Sequence, residues 1–307
     1  MVRRSTSSYE GRILDVSMYN HEVAALRVRH TELAGVVEKH AVVMTEFKFQ
    51  GGESEADGRV PEGLGIHVHR VARPECGMNA WCYESAARNE IGAAFVAIGG
   101  KPEDLVIISD VDEIPRRETL VRFQRRAMYH RQVFALEGLH FETWFGCLVS
   151  QSDRETPQLW RKGPALTTGA TLLKFGAQAL RTKWGCVPTG GYGCQARVRQ
   201  GVIKNASFHL SGFFETDEEF QEKLRSNSDF VESSGSLADI RASCPDIHGE
   251  ITAIPTDDDD HRRRPNKENW GHFVRYHARV DPLRVSKPWA VDQNHTAFAP
   301  FLYENHH

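Results

Sequence analysis

No stretch of the 307 residues approaches the roughly 18 consecutive apolar residues that a membrane-spanning helix needs, so stable membrane insertion is not expected. Lysine and arginine, 38 together against 41 acidic residues, are not gathered on one segment, and the formal net charge is −3. A nucleic-acid partner, which calls for a clustered basic face, is therefore not expected either. Among the six cysteines (Cys76, Cys82, Cys147, Cys186, Cys194 and Cys244) no pair has the C-x-x-C spacing of a zinc or redox site. The basic, polar start Met1–Ser8 lacks the apolar core of a secretory signal. The expectation is a cytosolic protein with free, buried thiols. There is no internal repeat and no clear linker.

What the chain does contain is an ordinary soluble composition, long enough for a sizeable core. Ile13–Val16, the stretch around Ala41–Met44, the alternating Ile66–Val71, the apolar Leu105–Ser109 and Val133–Phe141 read as strands. Residues 22–33, 78–98 and 117–128 read as helices, the second offering Trp81, Ala86, Ile91, Ala94, Phe95 and Ile98 for burial. The Gly51–Gly65 stretch reads as a loop. Strands alternating with helices predict an α/β fold with a mostly parallel central sheet between two helical layers. Residues 145–200 read as short strands and loops, and a further strand ends at His209-Leu210-Ser211. Thr216-Asp217-Glu218-Glu219 is a capping-box pattern that opens a helix through Leu224. A short helix at 237–242 and a surface loop at the charge block 257–265 complete the pass.

The most informative segment is Asp110-Val111-Asp112-Glu113-Ile114-Pro115 behind the buried-strand pattern. With a strand period of two, Asp110 and Asp112 project to one face and Glu113 to the other, and Pro115 marks where pairing stops. Two carboxylates then stand at the carboxyl edge of a central strand, where open α/β sheets bind ligands. Hard oxygen donors in that position suit Mg²⁺ or Mn²⁺ shared with substrate phosphates. Glu84 and Arg88 lie four apart on one predicted helix and form either a plain intrahelical pair or a link to those phosphates.

Beyond these readings, several segments resemble glycosyltransferase family 17, the β-1,4-N-acetylglucosaminyltransferases of N-glycans and their microbial relatives. The resemblance is carried by Tyr19-Asn20-His21-Glu22, Leu26-Arg27-Val28-Arg29, Val36–Lys39, Phe49-Gln50-Gly51, Trp81-x-x-Glu84-x-x-x-Arg88-Asn89, Ser109–Pro115, Phe208-His209-Leu210-Ser211 and Lys223-Leu224. It covers residues 10–230 in patches and departs from the family at Phe208, where tryptophan is usual. It implies a GT-A fold, a UDP-sugar donor (UDP-N-acetylglucosamine first), a glycan or glycoprotein acceptor, and inversion at the anomeric carbon. It also implies a single domain: a flexible 1–9, a nucleotide-sugar half at 10–140 and an acceptor half at 141–307 with a C-terminal extension.

On this resemblance Asp110, Asp112 and His209 would hold Mn²⁺ or Mg²⁺, while Glu84, Arg88 and Asn89 would join the two aspartates in donor binding. The general base of an inverting transfer falls among Glu215, Asp217 and Glu113. Helix capping is the competing role for Asp217. Trp144, Trp160, Trp184 and Tyr192 are candidates to stack on sugars or to pack in the core, and the glycine-rich 185–194 region is expected to shape the acceptor site. Two other readings compete. A sugar-nucleotide nucleotidyltransferase would want a glycine-rich basic loop after the first strand, where Met18–Glu22 stands instead. A silent carbohydrate-binding protein would have no use for the acidic pair.

Overall fold

The computed structural model describes residues 11–49, 60–77, 79–124, 132–142, 145, 147–150, 159–161, 163–181, 186–189, 193–197, 199–226 and 276–279. The first half alternates as the sequence predicts: β1 (Ile13–Tyr19), α1 (Val23–Leu33), β2 (Lys39–Thr45), β3 (His67–Val71), α2 (Ala80–Asn89), α3 (Ile91–Ala97), β4 (Leu105–Asp110), β5 (Glu113–Pro115), α4 (Arg117–Gln124) and β6 (Gln132–Glu142). β1 pairs in parallel with both β2 and β4, and β2 with β3. The central pair is buried along nearly its whole length, which is why Leu105–Ile108 is a continuous apolar run rather than an alternating one.

The second half departs from a mostly parallel sheet. It adds β7 (Cys147–Ser150), β8 (Leu159–Trp160), β9 (Ala165–Thr168), α5 (Gly169–Phe175), α6 (Ala177–Arg181), β10 (Cys186–Thr189), β11 (Gly193–Arg197), β12 (Arg199–Ser211), α7 (Asp217–Ser226) and β13 (Tyr276–Arg279). Strand β9 inserts antiparallel between β4 and β6, and β12 runs parallel to β6 while pairing antiparallel with the short β5. Among the described residues the result is an 11-stranded mixed sheet, with β10 and β11 forming a separate ladder. The fold is thus α/β, with one parallel block, β3-β2-β1-β4, and a separate parallel pair, β6 with β12. Strands β8 and β9 run the same way along one side of β6, both antiparallel to it, and β9 thereby lies antiparallel to β4 as well.

Helices cover both faces. Tyr83, Ala87, Ile91, Ala94 and Phe95 of α2 and α3, with Leu172, Ala177 and Leu180 of α5 and α6, pack on Leu14, Val16, Val43, Val106 and Ile108. Leu33 of α1 and Leu120 and Phe123 of α4 pack on Ile13, Leu105 and Ile107 from the other side. The helix expected over 78–98 is two helices, broken at Glu90, and Asn79 caps the first by accepting the Cys82 N–H at 3.1 Å. Its buried stripe runs Tyr83, Ala87, Ile91, so Trp81 falls outside the stripe and is 55% exposed, against the burial expected of it.

Gly138 is required where it stands. It faces Ser207 across β6 and β12, and a Cβ there would lie 2.1 Å from the Ser207 carbonyl oxygen.

The expected free thiols are also corrected. Cys76 and Cys82 form a disulfide across the N-terminus of α2, where the turn capped by Asn79 brings their Cα atoms to 5.6 Å. Cys147 is disulfide-bonded as well. No described helix is long and apolar enough to cross a membrane. The expected helix at 237–242, the charge block 257–265 and Trp144, Trp184 and Tyr192 lie outside the described residues.

Candidate active site

The acidic motif occupies the carboxyl edge of β4 but does not continue as a strand. The chain turns at Val111-Asp112 before β5 begins at Glu113. Two backbone bonds pin the turn: Val111 N–H to Met18 of β1 at 2.9 Å, and Leu210 N–H of β12 to Asp112 at 2.8 Å. Because the turn breaks the strand period, Glu113 does not point away from its neighbours. Its carboxylate accepts the Asp110 N–H at 3.2 Å and shares Arg181 with the Asp110 carboxylate.

Asp110 is held by two guanidinium groups, Arg88 at 3.1 Å and Arg181 at 3.3 Å. Burial alone would raise its carboxyl, but Arg88 and Arg181 outweigh that and hold its pKa well below the usual carboxylate range. Arg88 is itself oriented by Glu84 at 2.7 Å, the predicted i,i+4 pair, and by Gln178 of α6 at 2.8 Å. Asn89 meets α6 rather than the acidic motif, accepting the Gln178 N–H at 3.3 Å. Glu113, 1% exposed, accepts the Trp160 indole N–H at 2.8 Å in addition to its bonds from Arg181.

Asp112 faces His209, with 3.5 Å from its carboxylate to Nε2. The pairing of β12 with β5 places His209 directly opposite Glu113, and the pairing with β6 places it beside His140. From the rim of the site, Lys223 of α7 pairs with Glu22 at the start of α1. Burial works against the Lys223 ammonium, yet Glu22 and Asp112 more than offset it and keep its pKa above the ordinary lysine value. His21, between β1 and Glu22, has φ 70°, a left-handed conformation that costs a non-glycine residue energy and is typical of functional loops.

The other predicted residues lie farther out. Glu215 is exposed and pairs with Arg27 at 3.1 Å. Asp217 stands in the first turn of α7, which the predicted capping box opens: Thr216 Oγ1 accepts the Glu219 N–H at 3.2 Å, and the Glu219 carboxylate takes the N–H of Glu215.

Beneath the motif sits Arg29, 1% exposed. It binds Asp15 through two nitrogens, donates to Ser109 Oγ at 2.7 Å, and reaches the Glu113 carbonyl at 2.7 Å and those of Asp110 and Val111 at longer range. One buried guanidinium therefore ties α1 to β1, β4 and the acidic turn. A signal for it was present: Arg29 falls three after Leu26 and four before Leu33, on the buried stripe of α1, where a charge requires a partner. Burial raises the Asp15 carboxyl, but Arg29 outweighs it and, with His40 at 3.1 Å, holds it well below the carboxylate range. A depressed carboxylate stabilises the fold above its unfolded-state pKa and loses that contribution as pH falls toward the native value. Urea midpoints are thus expected to drop progressively below about pH 4. A midpoint flat through the acid range would contradict this.

Arg181, Trp160 and Lys223 were given no site role from sequence beyond the sugar-stacking option for Trp160 and the motif spacing of Lys223. They come from α6, β8 and α7, and nothing local in those segments announces the acidic turn.

Residues 3–137 match the family model described as Glycosyltransferase family 17. No curated protein matches the chain. The matched segment contains Arg29, Glu84, Arg88 and the whole acidic motif, while Trp160, Arg181, His209 and Lys223 complete the site from beyond it. With the motif folded where its carboxylates meet cations from three helices, the match over residues 3–137 supports glycosyltransferase family 17 as the family of this segment and a glycosyltransferase as the enzyme.

Proposed function

We propose that the enzyme moves N-acetylglucosamine from UDP-N-acetylglucosamine to a glycan or glycoprotein acceptor, with inversion, on a GT-A-like arrangement in which 10–140 binds the donor and 141–307 the acceptor. The observation that carries this reading is Asp112 facing His209 at 3.5 Å beside Asp110 at the end of β4. Two carboxylates and an imidazole form a donor set that suits Mn²⁺ or Mg²⁺, ions that keep several waters and take the remaining ligands from phosphates. Among the described residues no group of three or more His, Cys, Asp or Glu side chains, Asp110, Asp112 and His209 included, is gathered to hold a metal ion by itself, so in this reading the donor phosphates would have to complete the site. Asp110, Asp112 and His209 would hold the ion. When bound, such a cation neutralises charge that develops on the departing nucleoside diphosphate.

The chain's own residues do the rest. Arg88 and Arg181 fix Asp110, and Arg181 supplies positive charge next to the phosphate position. Lys223 adds a third cation from α7. Glu113, buried and engaged by Trp160, Arg181 and the Asp110 N–H, acts as a brace of the turn rather than as a base. Glu215 and Asp217 remain the carboxylates that can meet an incoming hydroxyl, with Glu215 exposed at the rim. The Cys76–Cys82 bridge argues against the cytosolic location expected from sequence, since such bonds persist in oxidising compartments.

The test is a panel of nucleotide sugars with Mn²⁺, with released nucleotide measured. UDP release from UDP-N-acetylglucosamine is expected, faster with a glycan present. Pyrophosphate formed from UTP and a sugar phosphate would replace this reading with nucleotidyl transfer, and silence with every donor alongside glycan binding would leave a carbohydrate-binding protein.

A further inference from the structure

A histidine that ligates a metal is ordinarily oriented by a hydrogen bond from its other ring nitrogen to a carboxylate, a carbonyl or water. Among the described residues His209 makes no such bond. Its Nδ1 is buried and without a hydrogen-bond partner among the described residues, although the residue is only 8% exposed. What surrounds the imidazole is aromatic. The Trp160 indole stacks on it at 4.0 Å between centroids and 15° between planes, and His140 lies 4.4 Å away, tilted by 44°. Trp160 is in turn fixed, because its Nε1–H donates at 2.8 Å to Glu113, a carboxylate clamped by Arg181 and by the Asp110 N–H.

The pairing explains why these groups meet. His209 is opposite Glu113 across β12 and β5, while Trp160 on β8 pairs with Gly138 of β6, two residues before His140. The acidic turn therefore reaches His209 twice: directly through Asp112, and by way of Glu113 and the indole.

We propose that Trp160 is the positioning residue for His209: the indole, anchored to Glu113, substitutes for the missing hydrogen bond and aims Nε2 at Asp112. This rests on the reading of Asp112 and His209 as cation ligands. It gives Trp160 a task other than stacking on a sugar, since one indole face and its only donor are already committed inside the protein.

The experiment measures Mn²⁺ binding to the full chain in the presence of UDP, by loss of the free-ion electron paramagnetic resonance signal. Trp160→Leu, which removes the ring, is expected to weaken Mn²⁺ binding by about tenfold, the usual cost of losing an orienting partner. Trp160→Phe, which keeps a ring to stack but has no N–H for Glu113, should weaken it by less, and keeps the test alive if the leucine variant does not fold. The decisive comparison is in the His209→Ala background. There the Trp160 substitutions should change Mn²⁺ binding no further, because an orienting residue has nothing left to orient. A merely structural loss would instead add to that of His209→Ala, and additive effects overturn the proposal, as does wild-type Mn²⁺ binding by Trp160→Leu. Asp112→Asn separates the two levels. If it abolishes Mn²⁺ binding while the Trp160 variants bind normally, only the role of Trp160 falls; if it binds Mn²⁺ like wild type, the cation reading itself falls.

Discussion

Asp110→Asn is expected to slow UDP release from the donor by on the order of 10²–10³-fold while leaving the thermal midpoint near that of the unaltered enzyme. The substitution keeps the shape of the side chain and removes the charge that would hold a cation against the diphosphate. The fold should survive because Arg88 keeps Glu84 at 2.7 Å and Arg181 keeps Glu113. The Asp110 side chain is also about a third exposed, so its ion pairs are partly screened by water. Steady-state UDP release with saturating Mn²⁺, run beside a melting curve, checks both halves. Unaltered turnover would remove Asp110 from the chemistry.

Arg29→Met should do the reverse, damaging the fold before the chemistry. It leaves the Asp15 carboxylate, 2% exposed, with only His40, and deprives the Glu113 carbonyl of its guanidinium donor. Breaking a buried pair on one side costs about 3–5 kcal/mol, a large part of the 5–15 kcal/mol that holds a typical domain together. The variant is expected to unfold at much lower urea or to accumulate as insoluble protein. Adding Asp15→Leu should recover part of the loss, since two apolar side chains no longer bury a lone charge. Equal stability of Arg29→Met and the unaltered enzyme would contradict the network described here.

The contrast between these two residues shows what could be read before folding. Asp110 was legible because a buried-strand pattern and a short acidic run lie in one continuous segment, and the edge of a parallel strand is where such groups work. The Glu84–Arg88 pair was legible for the same reason, since helical spacing alone brings the two together. β1 to β4 and α1 carry their periodicity locally, and they appear where expected. The antiparallel placement of β9 between β4 and β6 depends on pairings between residues far apart in the chain, which no local pattern encodes. Trp160 and Arg181 join the site across sequence separations of 47 and 71, through hydrogen bonds that exist only once the mixed half of the sheet has formed. The break at Val111-Asp112 leaves no mark in the strand period, because the turn is stabilised by backbone bonds from β12 and to β1, both distant in the chain.

The most direct test of the account is a crystal of the full chain grown with Mn²⁺ and UDP, with the metal placed by its anomalous scattering. One manganese is expected within bonding distance of Asp110 or Asp112 and of the UDP phosphates, with His209 turned toward it. UDP bound elsewhere, or bound at the end of β4 with no metal near either aspartate, would contradict it.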